Sequence, residues 1–244
     1  MTQALKTTTE TANPIFYANP TALDREQHRR LKIRPDAGYG FSAGAQFVPA
    51  LHEEFTSACH EFPIVFLADG SAPAPVFLLG LENGENRMVD AAGTWTSRYV
   101  PAYLRRYPFI LGEMKDTDPI ICIDEASGVF SDEEGDALFD DEGKETGRLR
   151  DIIAFTNEYF LASKRTQEAM ELLAELRLFR TISVDLRDAD GSKRSIQGLL
   201  SIDEEKMRNL ADADYLKLRD RKLIGPIYAH LFSLSQFGRL TDTK

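Results

Sequence analysis

Between Trp95 and Gly112 two prolines bracket a run of rings and guanidinium groups, Trp-Thr-Ser-Arg-Tyr-Val-Pro-Ala-Tyr-Leu-Arg-Arg-Tyr-Pro-Phe-Ile-Leu-Gly. Proline fixes its own φ and drives the preceding residue out of the α region, so only a short helix fits between Pro101 and Pro108. Pro101 stands early enough in that turn for its missing N–H to cost little. Pro108 forces Tyr107 into an extended segment that continues as Phe109-Ile110-Leu111. Tyr99 and Tyr103, four apart, are expected on one helix face, with Arg105 and Arg106 splayed to either side of the next turn. The single Trp and three of the eight Tyr fall in this stretch, beside three Arg. Two readings fit it. One is an outward recognition surface made of Trp95, Arg98, Tyr99, Tyr103, Arg105, Arg106 and Tyr107. The other is a corner of the core from which the cations snorkel to water.

The strongest strand signal is Phe62 to Ala68, a continuous apolar run, followed across a short Asp69-Gly70-Ser71-Ala72-Pro73 loop by Val76 to Leu81. Such runs predict a buried antiparallel hairpin covered on both faces. Asn83-Gly84 is turn chemistry, and Arg87-Met88-Val89 is expected to return as a third strand. With Phe109–Leu111 and Ile120–Ile123, the first half is read as a meander of about five strands. Ile15-Phe16-Tyr17 is expected at a sheet edge and residues 19–24 as a turn. Val48 to Cys59 is read as a helix with Leu51, Phe55 and Ala58 on its apolar face.

In the second half, Arg148 to Leu178 is helical, with Thr166 as an N-cap that divides it into two helices near Ser163. Ile182, Val184 and Leu186 alternate with Ser183, Asp185 and Arg187, predicting a half-buried strand that turns at Asp188–Gly191 into Ser195–Leu200. Asp203-Glu204-Glu205 opens a short helix with an acidic first turn. Tyr215 to Leu223 is amphipathic, Gly225-Pro226 breaks it, and Ile227 to Phe237 is a last helix with Ile227, Leu231 and Leu234 as its buried stripe. His230 is expected to flank that stripe at the surface. The fold class is therefore α+β: a mostly antiparallel sheet meander with flanking helices, then a C-terminal hairpin and more helices. Residues 1–13, polar and Thr-rich, are read as a disordered tail before a single domain at 14–244, with a sub-boundary in the acidic loop 131–147.

The 244 residues carry 29 basic and 39 acidic side chains, a formal charge of −10. That balance disfavours general nucleic-acid binding and docking on an anionic membrane, both of which need a basic surface. Cys59 and Cys122 stand among apolar neighbours and read as buried thiols. No window approaches the length of a membrane span, and the N-terminus shows no secretory pattern. A cytoplasmic location is expected, with signal-less export to the cell surface as the alternative.

No reacting centre stands out. Gly40-x-Ser42-x-Gly44 satisfies a nucleophile-elbow string, but Lys32–Asp36 is a poor buried strand and Pro49 interrupts the helix that should come after it. Ser42 with His230 and an acid such as Asp185 is the best hydrolase set available. Gly38, Gly40 and Gly44 make an equally weak dinucleotide loop. His52 and His60 lack a third metal ligand nearby. Eight carboxylates crowd residues 132–145. An EF-hand register there would place Phe130 or Leu138 at the first ligand position, so a solvated loop pinned by Leu138 and Phe139 is preferred. The residues call for no cofactor and no metal, and set no oligomeric state.

Several blocks together resemble the bacterial SapC family: Glu61-Phe62-Pro63-Ile64-Val65-Phe66, Tyr99-Val100-Pro101-Ala102-Tyr103-Leu104-Arg105-Arg106-Tyr107-Pro108-Phe109, Leu138-Phe139-Asp140-Asp141-Glu142-Gly143 and Ile227-Tyr228-Ala229-His230-Leu231-Phe232-Ser233-Leu234. The resemblance runs from about Asn19 to Leu240. It implies a link to bacterial surface layers, and gene neighbourhoods shared with tryptophan-halogenase-like flavoenzymes and outer-membrane receptors. It supplies no catalytic residues. The function expected is a non-catalytic binding or accessory protein that supports assembly, transport or modification of a cell-surface component. Its partner would be a protein or a small molecule. The alternatives are a sensor of an aromatic or amino-acid ligand beside Trp95, and a Ser42 hydrolase.

Overall fold

The computed structural model describes residues 14–35, 37–70, 72–112, 119–187 and 193–241. The tail at 1–13 and the turn at 188–191 lie outside them. In chain order the strands are β1 (Pro20–Ala22), β2 (Lys32–Ile33), β3 (Phe47–Pro49), β4 (Ile64–Leu67), β5 (Ala74–Leu78), β6 (Phe109–Gly112), β7 (Ile120–Asp124), β8 (Phe130–Ser131), β9 (Asp136–Ala137), β10 (Phe179–Arg187) and β11 (Lys193–Ile202). The α-helices are α1 (Phe55–Ala58), α2 (Ala102–Arg105), α3 (Gly147–Glu175), α4 (Glu204–Arg208), α5 (Asp212–Asp220) and α6 (Ile224–Ser233). Antiparallel sheets mixed with helices make the fold α+β, as the sequence predicts. The chain packs as two compact units, one of Gly38–Tyr107 with Ile152–Lys244, the other of the residues up to Ala37 with Pro108–Asp151.

The larger unit is built on one antiparallel sheet of order β10-β11-β4-β5-β3, so the central and C-terminal β regions share a sheet. Alternation along the strands sends Val65, Val76, Leu78 and Leu199 to one face, where Phe237 and Leu240 complete the cluster. Ile182, Val184 and Leu186 of β10 pack against the same cluster, as their period-2 spacing requires. Ile64, Phe66 and Phe77 turn to the other face, where Phe66 meets Phe55 of α1 at 6.3 Å and His230 of α6 at 4.8 Å between ring centroids. Both faces are dry, which is why β4 and β5 read as continuous apolar runs. Each fully buried Phe or Leu contributes about 2–3 kcal/mol.

Strand β4 pairs with β11 only at Phe66 and Leu67. Beyond that point the backbone of Ile64 would lie buried and unpaired, and two side chains of α6 take over. Ser233 Oγ accepts from Ile64 N–H at 2.9 Å, and His230 Nδ1 lies 2.8 Å from the Ile64 carbonyl. His230 Nε2 accepts from Ile202 N–H at 3.1 Å, with Ser201 Oγ at 3.0 Å. Those partners make His230 a neutral, Nδ1-protonated wedge that finishes the sheet where two strands part. It has no exposed surface at all, which corrects its expected place beside the stripe.

Other expectations need correction too. Val48 and Pro49 belong to β3, and Pro20 to β1, not to a helix and a turn. Both are edge strands, where proline's missing donor costs no ladder bond. Residues 15–17 are a turn instead of a sheet edge. Arg87–Val89 forms no strand beyond a Val89–Trp95 bridge. Asn86 Oδ1 accepts from Met88 N–H, and Asp90 Oδ1 from Ala92 and Thr94, so side chains claim backbone donors that a ladder would use. Helix α3 is unbroken, and Ser163 and Thr166 donate back to the carbonyls of Phe160 and Ala162 instead of capping a new helix. Gly225 and Pro226 sit in the first turn of α6, where an absent N–H is harmless.

In the smaller unit, β7 pairs with both β6 and β1, so β6 and β7 leave the expected meander for a separate sheet of order β1-β7-β6. Asp124 is 1 % exposed, and its carboxylate accepts from the N–H groups of Ala18 and Asn19 at 2.9 and 3.1 Å. A second sheet, β8-β2-β9, carries the acidic loop. Leu138 and Phe139 are buried as expected, and Asp140 Oδ1 accepts from Glu142 and Lys144 N–H to close the turn at Gly143. No group of residues fit to hold a metal ion occurs among the described residues.

Candidate functional site

The proline-bracketed segment folds as its sequence dictates locally, yet much of it faces inward. Pro101 is the N-cap of α2 and has no side-chain group for the helix's first N–H. Glu54, far away in sequence and 6 % exposed, does that work: its Oε1 accepts from Ala102 N–H at 2.7 Å and from Tyr99 O–H at 2.7 Å. Oε2 accepts from Leu51 N–H at 3.1 Å. One buried carboxylate thus takes three donors and joins the 51–54 turn to the 99–102 segment. Burial pushes the Glu54 carboxyl above its ordinary range against the pull of those donors, and burial with the nearby carboxylate holds the Tyr99 phenol up. Tyr99 precedes α2, since Pro101 bars Val100 from the helix, so Tyr99 and Tyr103 do not share a helix face.

Tyr103 is 4 % exposed, which corrects its expected outward position. Its ring and that of Tyr159 from α3 hold the Arg106 guanidinium at 4.4 and 4.3 Å from their centroids. Arg105 and Arg98 are exposed. Arg105 Nε donates to the Val100 carbonyl at 3.0 Å and lies over Phe155 at 5.0 Å. Trp95 and Tyr107 are half-buried, and the Trp95 indole donates to the Tyr99 carbonyl at 2.8 Å.

Two rings that sequence reasoning passed over complete the arrangement. Tyr107 stacks on Phe41 at 4.2 Å, Phe41 neighbours Tyr39 at 6.2 Å, and Tyr39 meets Trp95 edge-on at 5.8 Å. Trp95 continues inward to Phe62 at 5.9 Å and so to the core. Tyr39 and Phe41 sit in Gly38-Tyr39-Gly40-Phe41, read from sequence only as a flexible turn. Its glycines let the backbone lie against Gly93, whose carbonyl accepts from Tyr39 N–H at 2.8 Å. That contact was the missing signal, and no short-range pattern carries it. Burial raises the Tyr39 phenol pKa while the Arg105 charge lowers it. Four half-buried rings, with Arg98 and Arg105 exposed on the chain segment that carries Trp95 and Tyr107, form the candidate contact surface.

Gly93 has φ +80°, and a Cβ there would come within 3.3 Å of the Gly40 backbone. Gly93→Ala is therefore expected to cost about 1–2 kcal/mol and to separate Tyr39 from Trp95. Acrylamide quenching of Trp95, the one tryptophan, would rise in the variant.

The hydrolase residues are not brought together. Ser42 lies in a 3-10 turn, Gly40–Ser42, without the strand and helix that an elbow needs. It is wholly buried, donates to the Tyr39 carbonyl at 2.8 Å and accepts from Asn86, while both His230 nitrogens are engaged elsewhere. Asp185 points outward on β10. His52 Nδ1 bonds Thr166 Oγ1 at 3.0 Å, and His60 is exposed. Cys59 and Cys122 are buried free thiols, raised in pKa by that burial. No helix among the described residues is long and apolar enough to cross a membrane.

No curated protein and no solved structure matches the chain. A family model described as SapC matches residues 23–240, nearly the full length and all of the ring and guanidinium surface, and the chain belongs to the SapC family.

Proposed function

We propose that this SapC-family chain is a non-catalytic binding protein that supports assembly, transport or modification of a cell-surface component. The observation that carries the reading is the run of half-buried Tyr39, Phe41, Trp95 and Tyr107, with Arg98 and Arg105 exposed on the same segment as Trp95 and Tyr107. Rigid rings with Arg alongside are the side chains that dominate protein interfaces, because they bury much area at little entropic cost. Glu54 and the Gly38–Gly93 contact hold those rings in place before any partner arrives, which lowers the cost of binding. Arg98 and Arg105 would meet carboxylates of the partner.

The test is recovery of a partner from the native host on tagged protein, followed by Arg98→Ala with Arg105→Ala. The double variant should lose the identified partner by roughly tenfold or more while its unfolding midpoint stays unchanged. Undiminished recovery would remove this surface from the function.

A further inference from the structure

A second site lies away from the rings, in a cleft of about 560 Å³ between α3 and the turn joining α5 to α6. That volume suits a small organic ligand. Leu172, Leu223, Pro226 and Ala169 give the cleft an apolar wall, and His52, Arg221 and Lys222 bring polar groups to its rim. The cations there are unequally committed. Arg165 is neutralised at 2.6 Å by both Glu53 and Glu158, whereas Arg221 meets Glu168 only at 3.5 Å. Lys222 forms no ion pair among the described residues. Glu53 and Glu168 line the cleft as well, so its three cations exceed its carboxylates by one, a local positive excess in a chain of formal charge −10.

The helix end fixes where Lys222 stands. Helix α5 ends with Leu223 N–H bonded to the Leu218 carbonyl, a closure that needs a left-handed residue between them. Lys222 fills that place with φ +58°, where glycine would sit without strain. His52 adds a directional group. Thr166 donates its hydroxyl proton to the Ala162 carbonyl, so its oxygen accepts from His52 Nδ1–H, and Nε2 keeps its lone pair.

We propose that this cleft binds a small organic carboxylate bearing an apolar body and a hydrogen-bond donor. The carboxylate lies on Lys222 and Arg221, the apolar body on Leu172, Leu223 and Pro226, and the donor on His52 Nε2.

Titration of the full chain with mandelate, phenylacetate and inorganic phosphate, followed by ligand-observed NMR, tests each part. Mandelate has all three features, phenylacetate lacks the hydroxyl donor, and phosphate lacks the apolar body. Affinity should fall in that order, with mandelate saturating below ~10 mM. Lys222→Gly removes the ammonium and relieves the left-handed strain together. It should weaken mandelate by roughly tenfold without lowering the unfolding midpoint, a pairing that a merely structural lysine would not give. Lys222→Asn, which also tolerates this conformation, should behave alike. The proposal is overturned if no probe binds, if phosphate binds as well as mandelate, or if both variants retain wild-type affinity.

Discussion

Glu54→Ala is expected to destabilise the unit built on the five-stranded sheet by about 3–5 kcal/mol, measured as the loss of unfolding free energy in urea. The deletion strands three donors, the buried N–H groups of Leu51 and Ala102 and the half-buried phenol of Tyr99. Each buried donor left unpaired costs about 1–3 kcal/mol, and relaxation recovers part of the sum. Glu54→Gln keeps one acceptor oxygen but turns an amide N–H₂ towards other donors, so it should lose roughly half as much. Tyr99→Phe leaves the carboxylate two of its partners and should cost about 1 kcal/mol. Combined with Glu54→Ala it should add almost nothing, because the two residues share one interaction. Trp95 provides a second readout: its indole hangs on the Tyr99 carbonyl, so its emission should shift red in Glu54→Ala. A loss under about 1 kcal/mol would mean that α2 is held by packing alone and that Glu54 does not position the surface.

What could be read in advance followed the reach of the pattern. Strands β4 and β5 announce themselves because a sheet buried on both faces must be apolar at every position. The hairpin of β10 and β11 does so because one face of β10 meets the Val65 cluster and the other meets water. Asp203 capping α4 through Glu205 and Lys206 N–H is a local event, and was legible for that reason. Strands β1 and β3 were not, since proline reads as a turn unless one knows that the strand lies at an edge. The polar core residues carry a signal in their spacing. Leu51, Glu54, Phe55 and Ala58 fall at i, i+3, i+4 and i+7, which puts Glu54 on the apolar stripe. His230 stands three after Ile227 and four before Leu234, in the same relation to its own stripe. A polar residue on such a stripe must find partners inside. At the candidate surface, Trp95 and the arginines were visible in sequence, whereas Tyr39 and Phe41 depend on a glycine contact with Gly93 more than fifty residues on.

The wedge formed by His230 makes the same unit acid-sensitive in a defined window. Burial lowers the His230 pKa from 6.5 to about 4. The geometry explains why: a second proton would have to sit on Nε2, against the Ile202 N–H that already points there. The unfolded chain takes up this proton near pH 6.5 and the folded chain only near 4, so between those values the unfolded state binds more protons. Stability contributed by neutral His230 is therefore whole above about pH 6.5, declines as pH falls, and is gone near pH 4. At about 1.4 kcal/mol per pH unit the decline amounts to about 3 kcal/mol. His52, whose pKa burial also lowers, adds to the decline in the same direction, so the wild-type slope alone does not isolate His230. The difference between wild type and His230→Gln does. Glutamine cannot take up the proton, and its amide can still serve either the Ile64 carbonyl or the Ile202 N–H, so about 1–3 kcal/mol is lost at pH 7.5. That gap should narrow steadily on titration towards pH 4, as the wild type loses what the variant no longer has. Parallel stability curves for the two proteins from pH 7.5 to 4 would show that His230 takes up its proton in the fold as readily as in the unfolded chain, and that the strands β4 and β11 are closed by some other contact.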